Sequence, residues 1–223
     1  MLLAIDTSTS AIGAAVHDGE RVLAAVVHED ARRHGELLAP AVAEALAQAG
    51  VDRGDLSRVA CGVGPGPFTG LRVGVVTALV LAHALGLPGA LGVCSLDALA
   101  HAVVGRHEGE LLVATDARRK EVYWARYAVG PEGATRLDGP GVARAADLPA
   151  EVRALPVVGR GASLYPDDLP HPLTGAPLDV PPGALADLAA RLLRQGPGEA
   201  LLPPEPLYLR RPDAAVLPSG PVR

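Results

Sequence analysis

Gly64-Pro65-Gly66-Pro67-Phe68-Thr69-Gly70-Leu71-Arg72-Val73-Gly74 joins a short apolar run at 58–63 to a long apolar helix pattern at 69–85. A glycine-rich turn between a strand and a helix has the outline of a phosphate-binding loop. That chemistry needs a run of free backbone N–H groups and a Lys-Ser/Thr pair where the helix starts. Pro65 and Pro67 have no N–H to give, and no lysine follows. The segment therefore reads as a rigid, sharp turn, with Thr69 placed to cap the helix. It fixes a strand–turn–helix unit in the first half of the chain, and the remaining pattern is read outward from it.

Upstream, residues 2–5 read as a strand, Asp6-Thr7-Ser8-Thr9-Ser10 as a polar turn, and 12–17 as a second strand. Asp18-Gly19 signals a hairpin into a third strand near 21–27. A helix is expected at 36–49, with Pro40 in its first turn and Gly50 ending it. Downstream, 90–94 is a strand, and Ser95 starts a helix running to 104. Strands alternate with helices, so the class is mixed α/β.

The pattern then restarts. Residues 111–115 form a strand ending in Asp116, Ala117-Arg118-Arg119-Lys120 a turn, and 121–129 a returning strand. Strand, Asp, turn, strand is how the chain begins, which points to duplication of one unit with a shorter, degenerate second copy. A further strand is expected at 156–161 and a helix at 184–193. The proline-rich tail from 203 offers only Leu207-Tyr208-Leu209 for docking. The expected division is 1–104 and 105–203, the first unit being rejoined by part of 204–223.

Composition narrows the function classes. The chain has 223 residues, 49% hydrophobic but only 3% aromatic, so its core is built from Ala, Val and Leu. A formal charge of −5 argues against a protein whose main task is gripping nucleic acid. The basic clusters Arg32-Arg33, Arg118-Arg119-Lys120 and Arg210-Arg211 read as solvated turns. Cys61 and Cys94 sit among small apolar residues as core thiols. With a first strand at the amino terminus in place of a signal peptide, the expected location is cytoplasmic. Residues 73–96 carry no formal charge, yet Gly86, Pro88, Gly89 and Gly92 punctuate the run, so no membrane span is expected.

The glycine loop, together with Ala4-Ile5-Asp6-Thr7-Ser8, 34–40 (His-Gly-Glu-Leu-Leu-Ala-Pro), Asp116-Ala117-Arg118-Arg119-Lys120-Glu121-Val122-Tyr123 and Leu207-Tyr208-Leu209-Arg210, closely resembles the TsaB (YeaZ) family. Pro67 departs from the small residue usual there and stiffens the loop. The resemblance implies a pair of RNase-H-like domains of the actin, hexokinase and Hsp70 (ASKHA) type. It also implies a non-catalytic subunit supporting TsaD, the enzyme that places threonylcarbamoyl on the tRNA adenosine beside the anticodon. TsaE, an ATPase, and a second copy of the chain are the other implied partners, with tRNA met only through the complex.

In such a fold Asp6 and Asp116 end equivalent strands, where active relatives hold magnesium near phosphates. Asp6, Thr7, Ser8 and Asp116 are thus candidates for a vestigial nucleotide site. Bulky Arg118, Arg119 and Lys120 in the second turn argue against close phosphate approach, so weak ATP or ADP binding is the most expected, and no cofactor is firmly implied. An independent ATPase or kinase is the alternative function. A metalloprotease is the third reading, and its zinc motif fails because Arg32 stands where His28-Glu29 would need a histidine. Setting the chain against TsaD's His-x-x-x-His segment places Ser95 and Leu99 at the metal positions, so no metal is expected. The expected partner surface lies on two helices: Leu37, Leu38, Ala41, Val42, Ala45 and Leu46 on the first, and Gly70, Leu71, Gly74, Val75, Ala78, Leu79 and Ala82 on the second.

Overall fold

A computed structural model describes residues 1–30, 32–196 and 201–210. The apolar alternation of the amino-terminal third forms β1 (Leu2–Asp6), β2 (Ala11–His17) and β3 (Val22–Glu29), an antiparallel meander. Helix α1 (His34–Ala49) follows, closed by Gly50 in the left-handed conformation that an L side chain resists. It starts two residues earlier than its sequence pattern predicts, so Pro40 lies inside it rather than in its first turn. Pro40 and Glu36 are both exposed, and the carbonyl that loses its partner there faces water.

Strand β4 (Arg58–Gly62) pairs parallel to β1, and the glycine loop carries the chain into α2 (Phe68–Ala84). Pro67, not Thr69, occupies the N-cap position, because the Pro67 carbonyl already accepts from Leu71 N–H. Strand β5 (Ala90–Val93) adds parallel to β4, giving a sheet ordered β3-β2-β1-β4-β5. Helix α3 (Ser95–His101) leads to β6 (Gly109–Asp116), β7 (Val122–Gly130) and β8 (Gly133–Ala143). Short helices α4 (Ala150–Arg153) and α5 (Gly161–Leu164) flank β9 (Val157–Val158), and α6 (Pro182–Gln195) follows.

The second sheet is ordered β8-β7-β6-β9, antiparallel over its first three strands and parallel at the last. It repeats the first four positions of the other sheet and has no strand at the fifth among the described residues. The duplication read from the sequence is therefore present, with a shortened second copy.

Side chains sort into three cores. One face of the first sheet (Leu3, Ile5, Ile12, Val16, Val59) buries against α1 and α2. Its other face (Leu2, Ala4, Ala15, Ala60) meets α3 and α6, which lie between the sheets and also cover Leu111, Val113, Ala125 and Tyr127. The far face of the second sheet closes on Leu148, Val152, Ala162 and Leu169. Helix α6 thus lies on β1, β2 and β3 of the first sheet. A division at 104 separates the two sheets but not their shared core, because the duplicated units place a helix layer between them.

Segment 201–210 returns to the first sheet. Gly92 and Leu202 exchange backbone hydrogen bonds at 2.9 Å beside β5, and Leu207 N–H donates to the Val63 carbonyl at 2.8 Å. Tyr208 stacks on Phe68 with ring centroids 5.0 Å apart. Arg210 reaches the second unit, donating to the Ala117 carbonyl and pairing with Glu121. Arg211 and the tail beyond it lie outside the described residues.

Candidate functional site

The strand-end aspartates take different roles. Asp6 is 1% exposed and turns into the protein. Its Oδ1 accepts from Ser8 N–H at 2.8 Å and Ser8 Oγ at 2.7 Å, and its Oδ2 accepts from Ser95 Oγ at 2.7 Å. Ser95 Oγ in turn accepts from Gly64 N–H at 3.1 Å. The strand-end acid therefore pins the glycine loop to the start of α3. Gly62 makes room for this, since a Cβ there would lie 1.7 Å from Asp6 Oδ2. Burial pushes the Asp6 carboxyl above its ordinary range, against the opposing pull of the Ser95 and Ser8 hydrogen bonds.

Thr7 is likewise committed, its Oγ1 donating to the Gly70 carbonyl at 2.7 Å and accepting from Gly74 N–H at 3.0 Å. These contacts explain the small residues at 70 and 74: a Cβ would stand 2.7 Å from Thr7 O at Gly70 and 2.4 Å from Thr7 Oγ1 at Gly74. Gly66 meets the same turn, where a Cβ would fall 2.4 Å from the Ser8 carbonyl.

Between the two units lies a cleft of about 290 Å³, lined among others by Thr7, Ser8, Thr9, Thr69, Asp116 and Asp179. Asp6 does not line it, which corrects its expected place in a nucleotide site: burial beneath Gly62 and Ser95 takes its carboxylate off the cleft wall. Asp116 does line it, held by Arg118, whose N–H donates to Oδ1 at 2.7 Å and whose Nη1 lies 3.0 Å from Oδ2. Arg160 and Asp179 pair across the cleft's second side, a contact between distant segments that carries no local sequence signal. Among the described residues no group of three or more His, Cys, Asp or Glu is placed to hold a metal ion. Ser95 is spent on Asp6, and Leu99 is fully buried.

Most residues of the expected partner surface are not at the surface. Leu38, Ala41, Val42, Ala45 and Leu46 of α1, and Gly70, Leu71, Gly74, Val75, Ala78 and Ala82 of α2, are buried in the chain's own core. The stripe of small residues on α2 faces inward, letting the helix sit close to the Thr7 turn. Only Leu79 is exposed and Leu37 half-buried among the residues expected there. The outward face of α2 instead presents Val76 (55% exposed), Leu79 (42%) and Val80 (59%), bounded by exposed Arg72 and His83. The period of α2 could have revealed this face, had the small residues been assigned to the core.

A sheet of three antiparallel and two parallel strands, repeated as a four-stranded copy across a glycine-loop cleft, has the architecture of the ASKHA class. The particular branch follows from comparison with known proteins. The family model described as TsaD, tRNA N6-adenosine threonylcarbamoyltransferase, matches residues 21–171. An uncharacterized protein of Mycobacterium tuberculosis is 43% identical over 97% of this chain and 94% of its own length. The tRNA threonylcarbamoyladenosine biosynthesis protein TsaB of Escherichia coli is 37% identical over 56% of this chain and 54% of its own. The solved structure of YeaZ from Pseudomonas aeruginosa superposes with a TM-score of 0.78 at 30% identity, covering 93% of this chain and 99% of that one. The chain belongs to the TsaB (YeaZ) family. No helix among the described residues is long and apolar enough to cross a membrane.

Proposed function

We propose that this chain acts in threonylcarbamoyladenosine biosynthesis in tRNA, as a non-catalytic subunit that binds and supports a TsaD-type transferase. The pathway rests on the named TsaB relatives and on the match to the TsaD family model. The partner role rests on one observation, the outward face of α2. Three large aliphatic side chains there lie in water on one side of a single helix, next to a guanidinium and an imidazole. An apolar centre with a polar edge is the anatomy of an interface. The same face serves a second copy when the transferase is absent, so homodimer and heterodimer exchange. TsaE joins through the complex.

The non-catalytic reading is supported by the commitments of Asp6, Thr7 and Ser95. Each spends its polar atoms on holding the glycine loop, leaving Asp116 as the strand-end acid on the cleft wall. Any nucleotide bound there is held weakly and is not turned over.

Light scattering on a sizing column, with the chain alone and mixed with its cognate TsaD, tests the reading. Val80→Asp puts a charge at the centre of the exposed face without touching the core. It is expected to give a folded monomer that no longer pairs with TsaD. Undiminished pairing by that variant would remove α2 from the interface.

A further inference from the structure

Basic clusters that are far apart in sequence meet in space. Arg118 and Arg119 from the β6–β7 turn, and Arg210 from the returning segment, line a groove of about 170 Å³ beside Pro67 and Phe68. That groove shares Pro67, Phe68 and Arg118 with the interdomain cleft, to which Arg32 and Arg160 belong. Lys120 stands on the rim in the same turn, and Arg72 lies 3.9 Å over the Phe68 ring. The two carboxylates that line this trough are paired, Asp116 to Arg118 and Asp179 to Arg160, and Glu121 beside it is paired to Arg210. Arg32 N–H donates to Asp30 Oδ1 at 2.9 Å, but the side chains of Arg32, Arg72 and Lys120 form no ion pair with a carboxylate among the described residues. A chain of formal charge −5 thus concentrates unpaired positive charge at one mouth.

The backbone sets the same turn apart independently. Arg118, Arg119 and Lys120 have φ of 59°, 54° and 61°, three successive non-glycine residues in the left-handed region. Each Cβ is crowded there, and glycine adopts the same turn without that crowding. What glycine cannot supply is the row of cationic side chains. Strain kept at a solvent-facing turn marks a place where the side chains matter more than the turn.

Beside the cations lies an aromatic platform. Phe68 and Tyr208 stack with an interplanar angle of 28°, Arg72 Nε donates to Tyr208 Oη at 2.9 Å, and Tyr208 remains 38% exposed. Cations that track phosphates and an open ring on which a base can lie are the two parts of a single-stranded nucleic-acid site.

We propose that this trough binds the sugar–phosphate backbone of single-stranded RNA directly, with a base stacked on Tyr208. The choice of RNA rests on the proposed tRNA pathway, and the contact goes beyond it, since there the RNA is met through the partner. An acidic peptide would satisfy the arginines but leave the aromatic platform without a use.

Fluorescence anisotropy with a labelled single-stranded RNA oligonucleotide, using the full chain without TsaD, tests this. Contact with three phosphates gives a slope of about −2 for log affinity against log salt, a roughly 20-fold loss between 50 and 200 mM. Replacing Arg32 by Gln and Lys120 by Gly together is expected to make that slope shallower by about 1.4. Lys120→Gly alone is expected to raise Tm by about 2–4 °C while weakening RNA, as relief of one left-handed side chain implies. Tyr208→Ala is expected to weaken RNA with the salt slope unchanged. Absence of binding at 50 mM salt, or a slope indifferent to the double change, would overturn the proposal. So would poly-glutamate displacing the RNA equally well per charge, or the double variant losing TsaD and not RNA. Val80→Asp separates the two readings: it is expected to lose TsaD and keep RNA.

Discussion

Ser95→Ala is the sharpest probe of the idea that Asp6 is a structural pin. The hydroxyl removed is almost wholly buried and serves two groups, donating to Asp6 Oδ2 at 2.7 Å and accepting from Gly64 N–H at 3.1 Å. Ser95 Oγ is the only hydrogen-bond partner of Asp6 Oδ2 and of Gly64 N–H among the described residues. Both partners are therefore left unpaired, at about 1–3 kcal/mol each, or about 2–6 kcal/mol together. With a urea m-value of about 3 kcal/mol/M, the unfolding midpoint falls by about 1–2 M. Equilibrium urea unfolding followed by far-UV circular dichroism measures this, with exposed Ser163→Ala as the comparison. A loss below about 1 kcal/mol would refute the pin, because it would mean that Asp6 and Gly64 find other partners or meet water.

The remaining expectations rest on neighbouring contacts. Asp6→Asn keeps an acceptor for Ser8 and gives Ser95 a donor, so the fold is retained. Because burial raises the Asp6 pKa, the native acid's stabilising contribution is complete below the unfolded value of 3.8 and lost as pH rises through the folded one. The Asn variant therefore gains stability relative to the native chain as pH rises to neutrality; urea midpoints from pH 4 to 7 that run parallel would contradict this. Burial pushes both Cys61 and Cys94 up to about 12, and neither is expected to react with a thiol reagent at pH 8 until urea unfolds the chain. Leu207→Ala removes a side chain that packs against two of the cores and is expected to cost about 2 kcal/mol in the same urea assay.

The parts of the fold that were legible in the sequence are those where local pattern and tertiary role agree. The apolar runs of β1 and β4 and the restart at Asp116 belong to strands buried by helices, so their hydrophobicity reports their place directly. Strand β8 was invisible because Gly133, Gly139, Pro140 and Gly141 break any alternation; its pairing with β7, with register shifts at Arg126, defines it instead. The start of α2 was misplaced because the first turn of a helix has no intrahelical acceptor for its N–H groups, so Pro67, which has none to offer, fits at the N-cap. The exposed face of α2 was misread for a subtler reason. Large aliphatic residues usually point inward, but here contact with the Thr7 turn admits only Gly70 and Gly74, and Val76 and Val80 are left outside. Asp6 looked like a cleft residue because nothing in its own neighbourhood reveals Ser95, which comes from far along the chain.

The returning segment has a consequence for how the chain is made. Leu202 covers the open side of β5, Leu207 fills space between two cores, and α6 roofs β1, β2 and β3. A ribosome releases residues 1–93 well before any of these. The first sheet must then wait with one face and one edge uncovered, and its final closure comes only as residues 182–210 emerge. Folding of the two units is thereby made a single event, and a chain cut anywhere before α6 leaves the first sheet as exposed to neighbouring chains as the second.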